Sequence, residues 1–567
     1  MSQSKSLAAN LARLWTSYSK TRVFCTHVHF AIWLFVGLCL LSCQTGSENE
    51  EYAGIVSAAS PEAAAAGVEI LEAGGNAIDA AVAVSFTLAV TEPAMSGLGG
   101  QSQLIVFAPD KGAFVINGTS FSPAKLPTQV AQSDLVGHFA TTVPSTVRVL
   151  HYAWLKYGSG KITWTQLLAP AIRFAREGFE VGAFRHLVFK RHAYNLRNNP
   201  ATRTLFLHKD GSIPSEGEVF KQPVLANTLQ RLAARGAEDF YTGAIARDIA
   251  ADMKANGGWI TLDDLQHVPQ PIELPPLHTT YRGWDVYSLP PPGGGWVVLQ
   301  MLNLLEQSSP EALAPDSPTR LIKLADALRI GHTNRQSDPV ENLVDYQSDV
   351  REKISKEFAK RALINNEEKT SNGETTHFSV VDGSGIAVAV TASINAYFGA
   401  RAAIPKLGFL YNSYMHEFEL DEPGHPFALQ PKAMPYSSMS PTILVKDGEA
   451  RLILGSPGSS RIISSITQVV QLWVDAGMGI EEAVAARRVH VVPQNKLYIE
   501  SQTVSDSVLS ALEKAGYVLT QPRTDLAHGD LNPYFGGIHA LAKENGRWRG
   551  AADPRRDGAV GIAQKKR

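Results

Sequence analysis

The residues best suited to acyl chemistry are Glu374-Thr375-Thr376-His377, where a polar stretch meets an apolar strand. The polar stretch covers 353–374 and is rich in Asn, Glu, Lys, Ser and Gly, which predicts an exposed, flexible linker. A cut between Glu374 and Thr375 leaves a threonine whose free α-amine lies beside its own hydroxyl. That amine titrates at roughly 7.7–8.0, so it can take the hydroxyl proton near neutral pH. Residues 377–381 and 386–394 read as strands flanking Asp382-Gly383-Ser384-Gly385, a hairpin signal. A three-residue connection sets Thr375 opposite Ser393, with Asn395 diagonally beyond; a two-residue connection shifts the register by one. Taken alone, a threonine at a strand start is more commonly a β-branched sheet residue than a nucleophile.

A second feature is the loop Gly455-Ser456-Pro457-Gly458-Ser459-Ser460, which feeds an amphipathic helix over 461–474. The backbone N–H groups of Gly458 and Ser459 would stand near a helix N-terminus, where partial positive charge favours a developing oxyanion. Ser459 or Ser460 can equally serve as the helix cap.

The elements that must position these groups follow from patterning. Residues 61–90 predict two helices broken at Gly74-Gly75-Asn76. Strands are expected over 103–107, 113–116, 442–445, 451–454 and around 535–542, and helices over 165–177, 225–235, 243–256 and 318–330. Pro290-Pro291-Pro292-Gly293-Gly294-Gly295 is neither helix nor central strand. Arg185, Lys190 and Arg191 read as a solvated face, and His377 as a structural residue. The composition is that of an ordinary globular protein, with 44% hydrophobic and 19% charged residues. A net charge of -2 gives no signature of nucleic-acid binding, and the histidines show no metal-ligand spacing.

The N-terminus is distinct. Lys5, Arg13, Lys20 and Arg22 precede an uncharged apolar run over 30–41, which ends at Ser42-Cys43. That pattern suits an export signal over 1–42, with Cys43 as a lipidated first residue of a bacterial lipoprotein; the alternative is a simple signal peptide or an uncleaved anchor. Cys25, Cys39 and Cys43 are the only cysteines, so a chain starting at Cys43 has no internal disulfide and no cysteine nucleophile.

Read together, these blocks resemble the gamma-glutamyltranspeptidase family of N-terminal-nucleophile hydrolases. The resemblance rests on EAGGNAIDAAVAV (72–84), SGLGG, LLAPAIRFAREGF, YRGWDVYSLPPPGGG, TTHFSVVDGSGIAVAVT, SSMSPTILVKDG, GSPGSSRI and GAADPRRDGA, in order along nearly the whole chain. It implies an α+β fold, a four-layer αββα sandwich. It also implies a precursor cleaved into a large subunit (43–374) and a small catalytic subunit (375–567), paired as a heterodimer. The implied reaction passes a glutamyl group through an acyl-threonine to water or an amine, with no cofactor or metal. Carried over by position, Thr375 matches the nucleophile and Ser393 a hydroxyl that hydrogen-bonds it. Asn395, Ser437 and Ser438 match residues that hold the glutamyl head. Gly458 and Ser459 match the oxyanion pair.

Departures from the family pattern concern the substrate. Thr119 stands where an arginine normally pairs with the glutamyl α-carboxylate, removing a charge-assisted contact worth about 1.5–3 kcal/mol. Tyr414 replaces a usual Gln or Glu, and Glu417 a usual Asp. An arginine from elsewhere in the chain could substitute for the one missing at Thr119. The first expectation is therefore hydrolysis or transfer of γ-glutamyl amides such as glutathione. The alternatives are the same chemistry on another acyl amide or on poly-γ-glutamate, and a catalytically inactive lipid-anchored binding protein. No nucleic-acid partner is expected, and membrane contact is expected only through the N-terminal signal or lipid, in the periplasm or at the cell surface.

Overall fold

A computed structural model of the chain describes residues 52–565 apart from 316, 318, 341–345, 363–373, 493, 501–503 and 523–530. The expected signal segment, Cys43 and half of the expected linker lie outside the described residues. The beginning of that linker is packed instead: Ser355 caps a helix over Lys356–Arg361, and Lys353 is buried against Asp338 and Asp349.

Strand-forming segments with buried residues on both faces build two central sheets. In chain order their strands are β1 (Tyr52–Ala58), β2 (Gln101–Ala108), β3 (Gly112–Gly118), β4 (Ile272–Leu274), β5 (Leu277–Tyr281), β6 (Trp284–Ser288), β7 (Glu374–Asp382), β8 (Ala387–Asn395), β9 (Thr442–Lys446), β10 (Glu449–Gly455), β11 (His539–Glu544), β12 (Arg547–Ala552) and β13 (Ala559–Gln564). One sheet runs β13-β1-β7-β8-β2-β3-β4 and the other β12-β11-β10-β9-β6-β5, with antiparallel pairing throughout.

Three apolar clusters fix the layering. Ile55, Ile105, Val381, Ala389, Ile443, Ile453 and Leu541 meet between the sheets. The helices Pro61–Glu72 and Ala77–Thr91 cover the outer face of the first sheet, with Val380, Val388 and Val390 beneath them. The helices Gly295–Leu305, Arg320–Ser337 and Arg461–Asp475 cover the second, over Leu444, Leu452 and Leu454. The architecture is the α+β four-layer αββα sandwich. Burying both faces of each sheet explains why these strands read as continuous apolar runs rather than as alternating ones.

Local expectations hold with small shifts. The helix pair breaks where expected, and Asn76 closes a capping box with Asp79. The late strand begins at His539, because Pro533–Phe535 forms a 3-10 turn. Arg185 departs from the expected solvated face. It is buried and pairs with Glu62 and Asp557, since the sandwich folds acidic side chains over it. His377 is structural as expected, bonding Thr391 and Ser379, and burial pushes its imidazole well below the ordinary range.

Candidate active site

Thr375 is the second residue of β7, a strand flanked by β1 and β8 inside the first sheet. The hairpin after β7 closes with Asp382 N–H on Ile386 O and three residues between them, the longer of the two connections considered. Its register is regular up to Ala392 opposite Thr376, and the next pair is Asn395 opposite Glu374. Ser393 and Ile394 therefore bulge opposite Thr375, and Asn395 takes φ +71°. The bulge re-aims Ser393, whose hydroxyl donates to the Glu374 carbonyl at 2.7 Å and accepts from Asn395 N–H at 2.7 Å. The carbonyl so polarised belongs to the Glu374–Thr375 peptide bond.

A cavity of about 250 Å³ opens beside Thr375 and is lined by Asn395, Tyr414, Glu417, Tyr436, Ser437, Ser438 and Ser459 among others. Asn395 is anchored by its amide donating to Ser413 O at 3.0 Å. Ser437 and Ser438 sit on a loop tied to the proline-glycine turn, through Ser437 N–H to Pro292 O and Gly294 N–H to Met439 O. A Cβ on Gly294 would lie 3.0 Å from Ser440 Oγ and 3.2 Å from Ser438 O, so the glycine lets this loop pack closely on the serines. Tyr414 is buried with its hydroxyl bonded to Ser393 and Gln101, and burial pushes its phenol well above the ordinary range. Behind the wall, the Arg335 guanidinium stacks 4.4 Å from the Tyr436 ring.

The loop after β10 brings Ser459 into the same cavity. Gly458 takes φ +122° and Ser459 φ +54°, and the chain then enters the helix Arg461–Asp475. Among the described residues neither N–H is engaged by a protein acceptor. Gly458 backs this loop rather than lining the cavity.

Thr119 is not part of this site. Its hydroxyl donates to Asn117 and accepts from Gln103, and it lines a separate cavity with Phe121, Arg148 and Met434. Glu92, Arg461 and Arg556, which the sequence reading did not single out, surround Glu374 to Thr376. Thr376 Oγ1 donates to Glu92 at 2.6 Å, and Arg461 and Arg556 both reach the Glu374 carboxylate. Burial raises the Glu92 carboxyl to about 7, against the opposing pull of the Thr376 hydroxyl, Arg556 and Arg185. Their only sequence trace is membership of the quoted blocks GSPGSSRI and GAADPRRDGA, and of Thr91-Glu92-Pro93 for Glu92.

Among the described residues no group of three or more His, Cys, Asp or Glu side chains could hold a metal ion. Comparison with known proteins agrees with the geometry. The family described as Gamma-glutamyltranspeptidase matches residues 63–563. The glutathione hydrolase proenzyme of Escherichia coli (strain K12) is 34% identical over 471 residues, spanning 77% of this chain and 80% of that protein. The acylase ACY 1 proenzyme of Pseudomonas sp. (strain V22) is 32% identical over 538 residues, spanning 89% and 92% respectively. A cephalosporin acylase from Bacillus halodurans superposes with a TM-score of 0.80 at 26% identity, covering 91% of this chain and 96% of that one. The chain belongs to the gamma-glutamyltranspeptidase family and is an amide hydrolase and acyltransferase of the N-terminal-threonine type, made as a precursor that is processed into two subunits.

Proposed function

We propose that the precursor cuts itself between Glu374 and Thr375, giving a large subunit (43–374) and a small one (375–567), and that the mature enzyme cleaves γ-glutamyl amides such as glutathione. The observation that carries this reading is the common cavity of Thr375, Asn395, Glu417, Ser437, Ser438 and Ser459. In the reaction the Thr375 amine takes the proton from Oγ1, which attacks the amide carbonyl. The Gly458 and Ser459 N–H groups receive the oxyanion, and the amine leaves with the transferred proton. Water or a second amine then opens the acyl-threonine and restores the hydroxyl. Asn395, Ser437, Ser438 and Glu417 hold the acyl head.

A second reading, transfer of a non-glutamyl acyl group, is favoured by two observations. Tyr414 fills space where a hydrogen-bonding Gln or Glu would face an α-amine, and Thr119 contributes nothing to the cavity. Export with a lipid at Cys43 completes the proposal and rests on the sequence pattern over 30–43 alone. Among the described residues no helix is long and apolar enough to cross a membrane.

Denaturing gels with N-terminal sequencing test the cut: two bands are expected, the smaller starting at Thr375, and one band in Thr375→Ala. A single uncut band in wild type would sink the proposal. Turnover of a γ-glutamyl anilide beside a glutaryl anilide separates the readings, since the second compound lacks the α-amine and α-carboxylate.

A further inference from the structure

Ser460 stands at the N-cap of the helix Arg461–Asp475, yet its hydroxyl makes no capping bond there. It meets His490 Nε2 at 3.4 Å instead. The other ring nitrogen of His490, Nδ1, lies 2.8 Å from Ser464 Oγ, one turn along the same helix. Ser464 Oγ in turn lies 2.8 Å from Nε2 of His332, on the helix Arg320–Ser337. The two imidazoles meet edge to face with their centres 5.1 Å apart, and both residues are buried. His490 sits on the short strand Val489–Val492, and Gln468 clamps that strand to the helix. Gln468 donates to Val489 O and accepts from Val489 N–H, each at 2.9 Å.

Burial, helped by Arg335, lowers the His332 imidazole to about 3, and burial with His332 and Arg461 holds His490 well below the ordinary range. A neutral imidazole carries one N–H and one bare nitrogen, while each serine hydroxyl can give or take a proton. Both bonds of His490 are therefore satisfied in either of its tautomers. The residue that needs such an anchor is Ser459. At φ +54° it occupies a region that a side chain keeps only where its surroundings over-determine it. Gly458 before it has no side chain to hold, so the hold must come from Ser460 onward.

We propose that His490 is a positioning residue for the loop at Gly458 and Ser459. It holds Ser460 by the hydroxyl, with Ser464 and His332 fixing the imidazole from behind, so that the Ser459 peptide keeps one orientation toward the Thr375 cavity. Without that hold Ser460 is free to cap its own helix, and the loop loses the geometry in which its N–H groups face a developing oxyanion. The inference deepens the reading of those two N–H groups as oxyanion donors and rests on it.

The test separates the two ring nitrogens in the full-length chain. His490→Asn sets an amide near the former Nδ1 and keeps the contact with Ser464, whereas His490→Gln reaches the former Nε2 and keeps the contact with Ser460. The Arg461 and Ile462 amides bond back to Gly458 O at 3.1 Å and Ser459 O at 3.0 Å, so their deuterium exchange reports on the loop. In His490→Asn that exchange is expected to speed by at least about tenfold, with residues 465–474 within about twofold of wild type. For whichever of the γ-glutamyl and glutaryl anilides wild type turns over faster, kcat should fall about 10- to 100-fold and KM stay within about threefold, because the acyl-head residues are untouched. His490→Gln should recover most of that loss, and Ser460→Ala should reproduce it. Unchanged exchange in His490→Asn would overturn the proposal, as would equal losses in the Asn and Gln variants that track their melting midpoints. Faster exchange with undiminished kcat upholds the anchor and refutes the oxyanion role of the loop instead. If wild type turns over neither anilide, the acyl-donor reading fails and the exchange measurement still decides the anchor.

Discussion

Ser393 donates to the Glu374 carbonyl at 2.7 Å, so it polarises the bond of the proposed cut before any substrate is present. Removing one such donor from an oxyanion typically costs about 10²–10³ in rate. Ser393→Ala is therefore expected to slow the appearance of the two fragments by that order, and Ser393→Thr to restore it, as followed by timed gels on freshly made precursor. Glu92 allows a second prediction. An acid raised to about 7 by burial holds its proton more tightly in the folded than in the unfolded chain. Its stabilising contribution is complete below about 4.5 and is lost as the pH rises through about 7. Glu92→Gln stays neutral and escapes that loss. Relative to wild type, its urea midpoint should gain between pH 5 and pH 8 by an amount equivalent to roughly 3 kcal/mol. An equal difference at both pH values would contradict this.

At the scale of elements, two loops set the chemistry. The bulge in β8 turns Ser393 toward the Glu374 carbonyl, and the loop after β10 presents the Gly458 and Ser459 N–H groups. Ser459 at φ +54° occupies a region that costs a side chain about 1 kcal/mol and a β-branched one more. Ser459→Gly should retain anilide turnover within about threefold, whereas Ser459→Val should lower stability by about 1–3 kcal/mol and turnover with it. Chemical denaturation and initial rates together check both. Close packing behind the site is as strict. A Cβ on Gly455 would come within 2.3 Å of the His377 ring, so Gly455→Ala should cost about 1–3 kcal/mol through displacement of β7, read as a lower unfolding midpoint.

Across the whole molecule the proposed cut does not divide the fold. Residues before 374 supply β1 to β6 and residues after it supply β7 to β13, and both sheets mix the two sets. The first sheet places β7 beside β1 and β8 beside β2, so the two pieces share ladders as well as cores. The fragments should therefore co-elute in native gel filtration after processing and separate only in denaturant. Early separation would contradict the shared sheets. The buried cluster of Arg488, Asp553, Arg555 and Glu500 lies within the smaller piece, with Arg555 bonding Glu500 at 2.7 Å and Asp553 at 3.0 Å. Arg555→Ala would leave two buried carboxylates short of a cation, a loss of about 3–5 kcal/mol that urea titration would register.

The paired helices at 61–91, the hairpin about Gly383-Ser384-Gly385 and the Thr375 strand were legible in the sequence, because caps, turns and apolar runs act over a few residues. The quoted blocks likewise carried the family and its four-layer sandwich. The bulge opposite Thr375, the burial of Arg185 and the separation of Thr119 from the Thr375 cavity were not legible. Each depends on which distant strands and loops pack together, and no local pattern encodes that. The same holds for Arg461 and Arg556, which converge on Glu374 from 87 and 182 residues away. Sequence alone determined that Thr375 could cut and attack. Only the tertiary structure decided which charges surround it, because charge pairing in a buried site is set by packing across the sandwich.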